Sequence, residues 1–420
     1  MRFQNNLSFA RQLDRMDSLK SYRSKFHIPK VKGKTAIYFT GNSLGLQPKT
    51  TKRFVNEELD DWAKLGVEGH IYSRRPWLYY HKFSKKGLAA LTGAKPSEVV
   101  AMNHLTVNLH LMLVTFYRPT KTRFKIITEA GAFSSDQYAF ESQVKLHGLN
   151  PEDAIVELKP RNGEHVLRTE DVVAAIQQHG DQLALVIIGC VQYYTGQLFN
   201  IKKITEAGHQ VAANVGFDLA HGIGNVPFNL HNDNVDFAVW CGYKYLNSGP
   251  GTVAGAFIHE RYATNFDLPR FAGWWGHNEQ ERFQMKKGFK PMPGVDGWQV
   301  SNFPILPGAA QLASLEIFQQ AGIKNLRKKS ILLTGYLEFL LNEIQSDSFQ
   351  IITTDKKEER GCQLSIYMNK NGKKVFDKIT KAGVFADWRE PYVIRVAPVP
   401  LYNTFEEVFR FAEIFKKALK

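Results

Sequence analysis

Apolar residues fall along this chain in two alternating patterns. Short, nearly unbroken runs rich in β-branched and aromatic side chains predict strands at residues 36–40, 124–128, 184–188, 211–217, 236–241 and 253–258. Between them, apolar positions recur every three or four residues, which predicts helices at 49–65, 106–116, 135–146, 169–179 and 202–209. Continuous apolar strands separated by helices indicate a mostly parallel sheet covered on both faces. From about Pro307 the texture changes to long helices at 308–320 and 325–346. Shorter strands at 363–367 and 392–396 follow, and a last helix at 405–420. The expected fold class is therefore α/β. Residues 46–306 would form a large domain and residues 307–420 a smaller α+β domain, with residues 1–45 as an N-terminal segment packing on the latter.

Composition narrows the setting. With 44% apolar and 22% charged residues over 420 positions, this is an ordinary globular chain with ample core. Its three cysteines, Cys190, Cys241 and Cys362, are scattered, so neither a disulfide framework nor a metal site is expected. No apolar run has transmembrane length, and Asp14 and Asp17 spoil the resemblance of the first helix to a mitochondrial leader; a cytoplasmic protein without membrane contact is expected. The net charge of +14 raises the question of nucleic acid. Half of that excess lies in residues 1–35, and no zinc finger, basic tail or aromatic-studded motif accompanies it. A generally basic surface that attracts small anions is the simpler account.

The candidate chemistry sits at the strand ends. The run Val235 to Cys241 leads directly to Tyr243, Lys244 and a glycine-rich turn, and lysines avoid such places because desolvating an ammonium is costly. The earlier strand 211–217 ends on Asp218. A lysine for an aldehyde carbon and an acid for a pyridinium nitrogen are the two groups that pyridoxal 5'-phosphate requires. Two further strand-to-helix junctions offer anion cups. At Met102-Asn103-His104-Leu105-Thr106, free N–H groups, the Thr106 hydroxyl and the helix dipole converge. At Ala132-Phe133-Ser134-Ser135-Asp136, a Ser/Asp cluster starts a helix, and Phe133 could stack on a heteroaromatic ring. His221, three residues past Asp218, could line the same pocket. Taken singly, these are also what a threonine cap, a core phenylalanine and a histidine bonded to a local carbonyl would look like.

Longer motifs carry a resemblance. Tyr38-Phe39-Thr40-Gly41-Asn42-Ser43-Leu44-Gly45-Leu46-Gln47-Pro48, Leu105-Thr106-Val107-Asn108-Leu109-His110, Tyr194-Thr195-Gly196-Gln197, Gly216-Phe217-Asp218-Leu219-Ala220-His221, Tyr243-Lys244-Tyr245-Leu246-Asn247 and Arg395-Val396-Ala397-Pro398-Val399-Pro400-Leu401-Tyr402 together closely resemble kynureninases. Those are fold-type-I pyridoxal phosphate enzymes, and the resemblance spans nearly the whole chain. It implies hydrolysis of L-kynurenine or 3-hydroxy-L-kynurenine to L-alanine and anthranilate or 3-hydroxyanthranilate, in tryptophan catabolism or NAD biosynthesis. By matching motif, Lys244 resembles the Schiff-base lysine and Asp218 the pyridinium partner. Leu105, Thr106, Phe133, Ser134, Ser135, Asp136, His221 and Tyr243 resemble the other cofactor contacts, with Tyr243 also an acid in the proton transfers. Trp274 and Asn302 resemble residues that the family donates across a homodimer interface. Arg395 resembles the arginine that grips the substrate α-carboxylate, and Ser43, His70 and Asn302 resemble further substrate contacts. The implied chemistry is abstraction of the α-proton by Lys244, addition of water to the γ-carbonyl and cleavage of Cβ–Cγ.

Two positions depart from the family pattern. Gly189 stands where a serine is common, and His104 where a smaller residue is expected, so Gly189 is left out of the cofactor contacts. Two other readings share the scaffold. A cysteine desulfurase or selenocysteine lyase would need a mobile-loop cysteine and a histidine before the lysine; here Tyr243 precedes Lys244, and Cys362 falls in an expected strand. A catalytically idle basic binding protein would have little reason to keep Lys244, Asp218 and Arg395 together.

Overall fold

The computed structural model describes residues 2–420. Seven strands build the main sheet: β1 (Val99–Ala101), β2 (Lys125–Glu129), β3 (Ile155–Leu158), β4 (Leu183–Gly189), β5 (Asn214–Asp218), β6 (Phe237–Trp240) and β7 (Gly255–Ile258), in the order β1-β7-β6-β5-β4-β2-β3. Neighbours from β6 through β3 are parallel, while β7 runs antiparallel to both β6 and β1. Side chains alternate between the two faces, as the strand period demands. Ile126 enters one apolar layer with Leu113, Phe140 and Ile187. Its neighbour Ile127 enters the other, with Val186, Val215 and Leu315. Burial on both faces is what makes these strands unbroken apolar runs in the sequence.

A four-stranded antiparallel sheet forms the second unit: β8 (Phe349–Ile351), β9 (Leu364–Met368), β10 (Asp387–Arg389) and β11 (Val393–Val396), ordered β8-β9-β11-β10. Its core includes Leu337 and Leu341 of helix Ile323–Asn342, Phe411 and Phe415 of helix Phe405–Ala418, and Phe9 and Leu13 of helix Leu7–Met16. The N-terminal helix is tied there by chemistry as well as by apolar contact. The Asp14 carboxylate accepts the N–H groups of Phe405 (2.7 Å) and Glu406 (2.9 Å), satisfying the first turn of the last helix. Buried Lys329 pairs with Asp17 at 2.7 Å.

The expected division at 306/307 falls inside helix Ile305–Ala321, which packs on helices Thr51–Leu65 and Tyr80–Thr92 of the first unit. Pro307 is its third residue, where a missing N–H costs nothing. Two main-sheet strands, β1 and β3, and helix Tyr80–Thr92 add to the elements expected from pattern. The loop of residues 41–45 runs back from the second unit to the main sheet, and Gly45 is needed there. A Cβ on it would stand 2.3 Å from the Lys244 carbonyl oxygen, and its N–H donates to the Tyr243 carbonyl at 2.8 Å.

Candidate active site

The carboxyl ends of the parallel strands open into a cleft of about 580 Å³, the place where open α/β sheets bind ligands. Asp218 ends β5, Glu129 ends β2, Gly189 ends β4, and Lys244 follows β6 by four residues. Helix Leu105–Phe116 follows β1, and helix Ser134–Leu146 follows β2, so both present their N-termini to this cleft.

Those N-termini are built to leave N–H groups free. Asn103 adopts a left-handed conformation (φ 47°), which asparagine tolerates, and its amide donates to the Asn108 side chain at 3.0 Å. Asn108 in turn donates to the Met102 carbonyl at 2.9 Å, fixing the turn. Neither His104 nor Phe133, the residues before the two helices, caps its helix with a side chain. The Thr106 and Ser135 hydroxyls lie 2.6 Å apart, joining the two helix starts into one polar floor. Two helix dipoles and two hydroxyls aimed at one spot suit a multiply charged anion.

The opposite wall is acidic. Asp218 is buried, and its Oδ1 accepts the Ala220 N–H at 2.7 Å. Burial raises its pKa, and the Lys244 charge opposes that rise. Asp136 is pushed well above the carboxylate range by burial and by Asp218, and its Oδ1 has no partner. His221, fully buried, is held neutral chiefly by burial and then by the positive charge of Lys244; its Nδ1 is also unpartnered. The Tyr243 hydroxyl is pushed up by burial, so it stays protonated at any physiological pH. The half-buried Lys244 ammonium lies 5.6 Å from the centre of the Phe133 ring and 5.9 Å from that of Tyr243. It makes no ion pair among the described residues.

Arg395 is fully buried one layer behind this cleft. It is ion-paired with Asp387 and donates Nη1–H to the Tyr193 carbonyl at 2.7 Å. Its Nε has no partner. Tyr193, which lines the cleft, has its ring 5.9 Å from the guanidinium and Phe133 edge-on at a centroid distance of 5.4 Å.

Of the residues singled out by sequence, Leu105, Thr106, Phe133, Ser135, Asp136, Asp218, His221, Tyr243 and Lys244 line this one cleft. Ser134 sits at the exposed first turn of its helix and outside the lining, and Ser43 is exposed on its loop. His70 packs edge-on against Trp77 at 5.5 Å. Asn302 is exposed at a separate cavity that also holds His104, and Trp274 is 42% exposed, its indole donating to the Arg282 carbonyl. Within one chain these last four do not line the cleft. Sequence reasoning passed over three groups: Glu129, Tyr193 and Asp387. For Glu129 the signal was present, since Lys-Ile-Ile-Thr-Glu ends on a carboxylate just as Asn-Val-Gly-Phe-Asp does. All three cysteines are buried, and burial pushes the Cys362 thiol up to about 12, which removes the mobile thiolate that a desulfurase requires.

A family model described as the kynureninase C-terminal domain matches residues 326–415. The chain is 55% identical over 422 residues to the kynureninase of Flavobacterium psychrophilum, covering 100% of this chain and 99% of the relative. It is 54% identical to the kynureninase of Myxococcus xanthus, covering 98% of this chain and 97% of that one. Among solved structures, a cysteine desulfurase from Escherichia coli superposes with a TM-score of 0.77 at 15% identity, over 96% of this chain and 98% of that one. At that identity the likeness is one of fold.

Proposed function

The chain belongs to the kynureninase family, and from that premise we infer that it hydrolyses the side chain of L-kynurenine, or of its 3-hydroxy form, with pyridoxal phosphate as cofactor. The products are L-alanine and anthranilate or 3-hydroxyanthranilate, a step of tryptophan catabolism. The observation that carries the reading is the convergence of Lys244, Asp218 and the two uncapped helix N-termini on one cleft.

The residues fit that cofactor. Leu105, Thr106 and Ser135 would hold the phosphate, whose charge matches the helix N-termini. Phe133 would cover the ring, Asp218 would pair with the ring nitrogen, and the unpartnered Asp136 Oδ1 and His221 Nδ1 supply polar atoms still to be satisfied. When bound, the cofactor supplies an aldehyde for the substrate amine and an electron sink for the carbanion at Cα.

The protein's share is placement and proton handling. Lys244 Nζ takes the proton from Cα. Asp218 keeps the ring nitrogen protonated, because a carboxylate in a buried wall favours the cation facing it. Tyr243, kept protonated by burial, is the hydroxyl that hands a proton to the group leaving Cγ. Arg395 grips the α-carboxylate, and Asp387 holds its guanidinium in orientation until substrate arrives. Incubating purified protein, cofactor and kynurenine should release alanine and anthranilate in equal amounts; intact kynurenine after prolonged incubation would sink the reading.

The active species is a homodimer with composite sites. Trp274 and Asn302 are exposed and stand outside their own chain's cleft. Exposed apolar side chains near Trp274 and on helix Thr51–Leu65 and the segment after it support a buried contact: Phe271 57%, Phe283 62%, Met285 78%, Trp62 61%, Tyr72 69%. Mixing inactive Lys244→Ala with inactive Trp274→Ala subunits should restore activity, because a hybrid dimer keeps one intact site. Full activity from a strict monomer in light scattering would refute the shared site. Among the described residues no helix is long and apolar enough to cross a membrane, and the buried, unpaired cysteines support our reading that the enzyme works in a reducing compartment, the cytoplasm.

The 3-hydroxylated substrate is preferred. His70, whose buried Nδ1 lacks a partner, and Asn302, exposed in a single chain, are polar groups of the expected ring pocket. A buried polar group left unsatisfied costs about 1–3 kcal/mol, which a ring hydroxyl would relieve. Wild type should favour 3-hydroxykynurenine by roughly tenfold in kcat/KM, the ratio worth about 1.4 kcal/mol. Asn302→Thr should shrink that ratio. An unchanged ratio would show that Asn302 does not read the hydroxyl.

A further inference from the structure

Three carboxyl groups, not one, face the ring end of the cleft: Asp218, Asp136 and Glu129. Lys244 is the cation beside them, with Arg395 a layer behind. Three buried carboxylates cannot all ionise against so little positive charge, so the wall must hold protons at defined places. Which acid holds one follows from its partners. Asp218 has the Ala220 N–H and the nearby ammonium. Glu129, 4% exposed, has no cation among the described residues. Both its oxygens share the single N–H of Gly189, each at 3.2 Å, and the Thr128 hydroxyl donates to Oε2 at 3.3 Å. The fit is close. A Cβ on Gly189 would stand 3.0 Å from Glu129 Oε1, and Gly189 pairs in register with Asp218 on the next strand.

We propose that Glu129 is a positioning residue of this site, a carboxyl whose acid form is favoured against the Gly189 strand end so that Asp218 stands as the anion facing the cofactor's ring nitrogen. The inference rests on the cofactor reading above. Burial, reinforced by Asp218, raises the Glu129 pKa from 4.5 to about 7. The groups facing it are Asp218 from β5, Asp136 from helix Ser134–Leu146, and the neutral Cys190 thiol beyond β4. Glu129 also lines a second cavity, shared with His165 and Glu390.

The sign of the pH effect follows from linkage. The folded protein binds the Glu129 proton more tightly than the unfolded chain does. Between pH 4.5 and about 7 the folded state therefore holds more protons, and stability falls as pH rises. Above that window the loss is complete. Glutamine keeps the shape and never ionises. Apoprotein carrying Glu129→Gln should melt with wild type at pH 4.5 and above it at pH 8.5, by roughly 2–4 °C. Glu129→Asp, which keeps an acid, should retain the pH dependence of wild type. In a titration with pyridoxal phosphate at pH 6, followed by absorbance, Glu129→Gln should bind within threefold of wild type. A melting gap independent of pH, or tenfold weaker cofactor binding by Glu129→Gln at pH 6, would overturn the proposal, since either means that the charge itself is used. Wild type that binds no pyridoxal phosphate at any pH would instead contradict the function reading.

Discussion

Replacing Lys244 with alanine is expected to abolish turnover, lowering kcat by at least about 10³-fold, while the folded apoprotein survives. Both halves follow from the geometry. The lysine is half-buried, makes no ion pair among the described residues, and opens a turn held by backbone bonds that alanine leaves intact. Asn247 N–H still donates to the residue 244 carbonyl (3.0 Å), and Ser248 N–H to the Gly242 carbonyl (3.0 Å). On the proposed reading the cofactor would lose its covalent anchor but keep the helix N-termini that would hold its phosphate. The variant should thus bind pyridoxal phosphate without the yellow band of the lysine-bound form. Spectra and melting curves of the two proteins check this together. An active Lys244→Ala protein would refute the assignment of the lysine.

Asp218→Asn is the second large effect. Asparagine preserves the shape and can still accept the Ala220 N–H, so folding and some cofactor binding should persist. What it lacks is the charge proposed to keep a proton on the ring nitrogen, and without that proton the electron sink would weaken. Removal of a preorganised electrostatic contact typically costs roughly 10²–10³ in kcat, and a loss of that size is expected here. Asp136 and Glu129 stand close by, yet burial raises the pKa of both, to about 7 for Glu129, so neither takes over as the missing anion without ionising in a buried wall. A loss of less than tenfold would mean that one of them, and not Asp218, is the ring's partner.

Much of this architecture is legible in the chain because parallel strands buried on both faces leave unbroken apolar runs. A carboxylate or lysine at the end of such a run stands out. That logic locates Asp218 and Lys244, and it points equally to Glu129 at the end of β2. Direction is harder: β7 reads like its parallel neighbours because its burial is the same. Strand β10 escapes notice because Asp-Trp-Arg is half-buried and carries no alternation. Proline misleads at the start of helix Ile305–Ala321, since a helix tolerates it in the first turn. Tyr193 and Asp387 have no local signature; their roles come from what Arg395 touches across the domain junction. Trp274, Asn302, His70 and Ser43 do not line the cleft of a single chain, and on the proposed dimer reading Trp274 and Asn302 would reach it from a second copy.

Borohydride reduction of the cofactor-loaded protein, followed by peptide mapping, tests the central claim most directly, because it asks which atom of this chain carries the cofactor. The account predicts a single permanently labelled peptide, modified at Lys244, with activity lost in proportion to labelling. A label on another lysine, or full activity after reduction with Lys244 unmodified, would contradict it.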